Sequence, residues 1–70
     1  MLNIENVRKK ENVTLVDLGD AIHKNYRTVR DKIDNDNFST AEAFVIYNTF
    51  FKAKGYDFTY LFTKSNKDFA

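Results

Sequence analysis

The sequence predicts an all-α fold, a compact bundle of about five short helices that contains a helix-turn-helix. Three observations carry this expectation. The 70 residues include no Pro and only two Gly, too few breakers for a turn-rich β fold. Apolar residues recur three and four apart, the period of a helix with one buried face. From the second run onward, each opens on Thr14, Asn25, Ser39 or Asp57, side chains that satisfy the free N–H groups of a helix start.

The first helix is expected over about residues 2–11, with Ile4 and Val7 on its inner face, and Asn12 and Val13 break it. Thr14 caps the second, with Asp17 three residues later near the positive end of the helix dipole. Leu15, Leu18 and Ile22 share its inner face, and it ends at His23. Asn25 caps a third helix to about residue 33, with Val29 and Ile33 inward. The run DNDN at 34–37 is a loop, because Asp and Asn bond their own backbone and tolerate left-handed geometry. In FSTAEA, Ser39 and Glu42 form a capping box, and Phe38 and Ala43 stand where a hydrophobic staple would. The fourth helix runs to about residue 53 with Ala43, Ile46, Tyr47 and Phe50 inward, and Gly55 suits a left-handed stop. Asp57 caps a last short helix through residue 62. Residues 1–62 thus form one domain, and 63–70 read as a frayed tail.

Composition narrows the function. A chain this short buries a small core. Without Cys it can form neither a disulfide nor a thiolate zinc site. No apolar run approaches the roughly 18 residues of a membrane span. Glu5 follows closely on the start without a signal-peptide core, so the expected setting is the cytoplasm. His23 is the only His, which makes a metal site or a His-centred catalytic pair unexpected; a turn residue is the ordinary role. The DNDN loop offers oxygen ligands but lacks the Gly and terminal Glu of an EF-hand. With no Gly-rich phosphate loop either, the chain is not read as an enzyme, and no cofactor is expected.

The formal net charge is only +1, but its distribution is uneven. Lys24, Arg27, Arg30 and Lys32 cluster on and just before the third helix, opposed there only by Asp31, and Arg8, Lys9 and Lys10 form a second basic run. Two helices joined by about three residues, the second one basic, are the helix-turn-helix pattern: the first helix holds the second proud of the surface, where it can enter a DNA major groove about 12 Å wide. Small Gly19 suits a close approach of the two helices.

In LGDAIHKNYRTVRDKI, Gly19 is small and Ile22, Val29 and Ile33 are aliphatic; FSTAEA and then YLF at 60–62 follow in order. Together these pieces resemble the phage Cro/repressor type of helix-turn-helix regulator, over about residues 14–62, and look most like small regulators from phages of low-GC bacteria. The resemblance implies a sequence-specific transcriptional regulator whose partner is double-stranded operator DNA. Three departures stand out. His23 replaces the family's usual Gly, at a position that often needs positive φ and that His tolerates better than most residues. Leu15 stands where the family often has a phosphate-contacting Gln, and Asp31 sits in the middle of the reading helix.

The DNA-binding candidates are therefore Lys24, Asn25, Tyr26, Arg27, Thr28, Arg30, Asp31 and Lys32. Arg27 and Arg30 suit bidentate bonds to guanine. Tyr26, at the helix tip, suits a phosphate or a thymine methyl, and Asn25 is the cap. Lys24 and Lys32 suit phosphates, with 8–10 as a further phosphate-contacting run. Asp31 suits a cytosine amino group or an ion pair with Arg27. The ordinary alternative for the whole cluster is a solvated helix face.

Seven Phe and four Tyr exceed the needs of so small a core. Phe44 and Phe51 widen the apolar arc of the fourth helix, and Tyr56 and Tyr60, with Phe69, add to the surplus. Either the last helix folds back over them, or they form a partner surface. A homodimer on paired half-sites fits the second reading. So does a rival function, a helix-turn-helix-shaped modulator or antirepressor that binds a larger repressor protein. The low net charge, Leu15, Asp31 and the aromatics favour that rival, and the basic cluster favours DNA.

Overall fold

The computed structural model describes residues 1–65 as five α-helices: α1 Ile4–Lys10, α2 Leu15–Ile22, α3 Tyr26–Asn35, α4 Thr40–Ile46 and α5 Phe58–Leu61. A π-helical turn, Tyr47–Phe51, and a 3₁₀ turn, Lys52–Lys54, extend α4. Among the described residues no strand forms, and one isolated antiparallel bridge joins Leu2 to Lys64. No helix there is long and apolar enough to cross a membrane.

The helix starts follow local chemistry. The Thr14 hydroxyl accepts from Asp17 N–H while Asp17 accepts from Thr14 N–H, both at 3.0 Å. Ser39 and Glu42 close a second reciprocal box. Asn25 accepts from Arg27 N–H at 2.8 Å, and Asp57 from Tyr60 N–H at 2.9 Å. Three helix ends use left-handed residues other than glycine: Asn12 at φ 60°, His23 at 59° and Asp36 at 54°. Asn, Asp and His are the side chains that adopt this region most readily. Gly55, at φ 84°, closes the 3₁₀ turn.

The core gathers one or two side chains from each element: Ile4 and Val7 of α1, Leu18 and Ile22 of α2, Val29 and Ile33 of α3, Ile46 and Phe51 along α4, and Leu61 of α5. Leu2 and Val13 join it from the flanks of α1. Each fully buried aliphatic or aromatic side chain contributes about 1.5–3 kcal/mol before entropy is counted.

Two expectations need correction, and a third gains a second part. Phe51 is not on the surface: it is completely buried, whereas Phe50 is only partly so. The π turn is the reason. Lys52 N–H donates to Tyr47 O, five residues back, so each turn there holds an extra residue and Phe51 comes round into the core that also holds Ile46. Residues 63–65 are also not frayed. Asn3 N–H donates to Thr63 O at 2.9 Å and Ser65 N–H to Met1 O at 2.9 Å, which ties them to the start of the chain. The rest of the expected tail, including Phe69, lies outside the described residues. Finally, Gly19 serves the turn as well as the helix pair. A Cβ there would collide with the Lys24 carbonyl oxygen and would touch Val29 at 3.5 Å. The same turn is held by Lys24 N–H donating to Gly19 O at 2.9 Å.

Gly19→Ala is accordingly expected to destabilise the fold by about 1–3 kcal/mol, despite the better helix propensity of Ala. A lower urea midpoint with an unchanged slope would show it, and a midpoint equal to the parent's would mean the turn yields freely.

Candidate nucleic-acid interface

α2 and α3 are joined by residues 23–25 alone. Val29 and Ile33 bury one side of α3 completely. At 100° per residue the opposite arc carries Arg27, Thr28 and Asp31, all exposed, with Tyr26 at the N-terminal tip, 44% exposed. Lys24, in the turn, is exposed beside it. The tip is partly organised before any ligand arrives. The Arg27 guanidinium lies 5.7 Å from the centre of the Tyr26 ring, and its Nε donates to the Tyr26 hydroxyl at 3.3 Å. No ion pair joins Asp31 to Arg27 among the described residues, so both present free polar ends. Asn25 also lies here, but its side-chain oxygen is occupied as the cap.

The other two cations of the cluster are held elsewhere. Arg30 is only one-third exposed. Its Nη1 donates to Glu5 of α1 at 3.1 Å and its Nη2 to Asp34 at 3.0 Å, while its Nε is buried with no hydrogen-bond partner. Lys32 is 16% exposed and bridges to Glu42 of α4 at 3.1 Å, also donating to Asn37 O. These two side chains fix α3 to its neighbours and do not stand free as the charge pattern suggested. Arg8 is withdrawn too: it is 12% exposed and clasps Glu5 through Nε and Nη2 at 2.8 and 3.1 Å.

Glu5 is the residue the sequence reading passed over. It is 3% exposed and meets Arg8, Lys9 and Arg30. Burial pushes its carboxyl up, but hydrogen bonds from Arg30 and Arg8 and their charges outweigh that and hold it at about 2. The same contact, against the cost of burial, raises Arg30 above its ordinary value. The spacing of Glu5 to Arg8 and Lys9 was a visible helical pair signal; its burial was not.

The aromatics separate into two groups. Phe44 is half exposed and stacks on Phe58 at 4.7 Å, and Tyr60 is also half exposed. Tyr47, Phe58, Phe62 and Phe38 continue from Phe44 as a chain of ring contacts. Phe38 therefore has Phe62 as a ring partner, edge-on at 5.6 Å. Phe51 belongs to the core, and Tyr56 is a structural tie rather than a free surface: its ring packs edge-on against Phe51 and its hydroxyl donates to Glu11 at 2.6 Å. That bond raises the Tyr56 phenol and, together with Lys54, lowers the Glu11 carboxyl.

No group of three or more His, Cys, Asp and Glu side chains among the described residues is placed to hold a metal ion. No protein-family model, functionally described protein or solved structure matches the chain.

Proposed function

We propose that the chain is a sequence-specific DNA-binding regulator of the Cro/repressor type, which presents the N-terminal half of α3 to the major groove of an operator. One observation carries this reading most directly. Tyr26, Arg27 and Thr28 stand exposed on a helix fixed by core on one side and by ion pairs on both flanks, and no core contact or salt bridge claims the Arg27 guanidinium. Arg27 suits a guanine, Thr28 either a base edge or a thymine methyl, Tyr26 a phosphate or a methyl, and Lys24 a phosphate. Asp31 suits a cytosine amino group. Two copies on half-sites one helical turn apart would give the affinity that a single short helix lacks.

The test is a mobility-shift titration with DNA from the protein's own locus against random duplex. Arg27→Ala is expected to weaken operator binding by roughly 1–3 kcal/mol and to relax sequence preference, with folding unchanged. Equal parental affinity for operator and random DNA would overturn the specific reader.

A second reading is favoured by a different observation. Arg30 and Lys32 are already paired, while Phe44 and Val45 of α4 and Tyr60 of α5 are exposed. A modulator that docks on a larger repressor protein would use such an apolar surface and would need little free positive charge. Phe44→Asp separates the two: loss of repressor binding with intact DNA binding supports the modulator.

A further inference from the structure

We propose that α1 supplies a phosphate-binding edge beside α3, with Lys9 as its contact, Arg30 as its second cation and Glu5 as the residue that positions both. The inference rests on the reading of α3 as a groove-inserted helix. The ligand is the phosphodiester backbone of duplex DNA.

The carboxylate oxygen Oε2 of Glu5 lies 3.3 Å from Lys9 Nζ and 3.1 Å from Arg30 Nη1. Arg8 Nη2 donates to the same oxygen at 3.1 Å, so three cations from two helices converge on it. Glu5 lies beneath the surface with 4% of its side chain exposed, whereas the Lys9 side chain is 64% exposed. The carboxylate holds the ammonium in place from below without covering it. Arg8, Lys9 and Arg30 together outnumber the two carboxylates they meet, Glu5 and Asp34, so the cluster keeps excess positive charge.

A helix in a major groove about 12 Å wide has a phosphate backbone along each flank. The flanks of α3 are chemically unlike. Toward α4, Lys32 is mostly buried and neutralised by Glu42. Toward α1, Arg30 turns to the Glu5 cluster, and Lys9 is its open member. A phosphate on that flank can take Lys9 from Glu5 at small cost, because Glu5 keeps Arg8 and Arg30 and no buried charge is left alone. The exchange would release the condensed counterion that the phosphate held. Arg30 thereby acts on the backbone side of the interface rather than on base edges.

The experiment is a salt titration of binding to operator and random duplex by the parent, Lys9→Ala, Lys9→Arg and, as a control for bulk charge, Lys52→Ala on the exposed turn after α4. Lys9→Ala is expected to flatten the dependence of log K on log salt by about 0.9. It should weaken both duplexes by the same factor, so that their affinity ratio is kept. Lys9→Arg should restore the slope, and Lys52→Ala should leave it as in the parent. If Lys9→Ala keeps the parental slope while Lys24→Ala flattens it, the reading of α3 stands and the α1 edge is overturned. If the parent binds no duplex in a salt-dependent way, both fall together.

Discussion

Truncating Phe51 to Ala is expected to remove most of the stability of this fold. Phe51 is completely buried, sits at the end of the π turn, and carries the edge-on Tyr56 ring. Removing a buried Phe side chain costs about 3–5 kcal/mol, from lost transfer energy and the cavity left behind. Domains of ordinary stability hold only about 5–15 kcal/mol in total, and one of this size belongs at the low end. The variant should therefore be largely unfolded at physiological temperature, with its urea midpoint far below the parent's. The informative comparison is Phe50→Ala. Were the α4 segment a regular α-helix throughout, Phe50 would occupy the inner position and Phe51 its edge. With the π turn, Phe50 is only partly buried, and its truncation should cost clearly less. A larger loss at Phe50 than at Phe51 would argue for a regular helix and against the π turn.

That same turn shows where sequence reading stops. The caps were legible because each is decided by residues three or fewer apart: Thr14 with Asp17, Ser39 with Glu42, Asn25 with Arg27, Asp57 with Tyr60. The inner faces of α2 and α3 were legible because Leu18, Ile22, Val29 and Ile33 keep the 3.6-residue period. The π turn breaks that period by one residue, and nothing local requires it; it follows from seating Phe51 in a core formed by distant elements. The fate of the basic cluster was hidden for a related reason. Charge along a helix can be counted from sequence, but Glu5 meets Arg30 across 25 positions and Lys32 meets Glu42 across the loop between α3 and α4. Only the tertiary fold divides the cluster into structural cations and free ones. Residues 63–65 looked like a tail because their pairing partners, Met1 and Asn3, lie at the other end of the chain.

Glu5→Gln is expected to destabilise the protein by about 3 kcal/mol at neutral pH and to do so less and less as the solution is acidified. The Gln side chain has nearly the same shape, so the packing around α1 is kept. What it removes is the negative charge that serves Arg8 and Arg30, both of which are too covered by protein to be fully rehydrated in compensation. The carboxyl is lowered from 4.5 to about 2 by folding. A group lowered in this way stabilises the fold at any pH above its unfolded value, and the contribution is lost as pH falls through the folded one. A shift of that size corresponds to roughly 3 kcal/mol, since each unit is worth about 1.4. The gap between parent and variant should thus be full above about pH 5 and mostly gone near pH 2.5, where the parent's own carboxyl is becoming a neutral analogue of the amide. Glu11 and Glu42 are lowered too, the first chiefly by Tyr56 and the second by the Ser39 backbone, so both proteins lose stability in acid. Those losses are common to parent and variant and cancel in the difference. Thermal unfolding of both proteins at pH 7, 4 and 2.5 measures it. A gap that stays constant across that range would mean the ion cluster at Glu5 does not hold α1 against α3 through its charge.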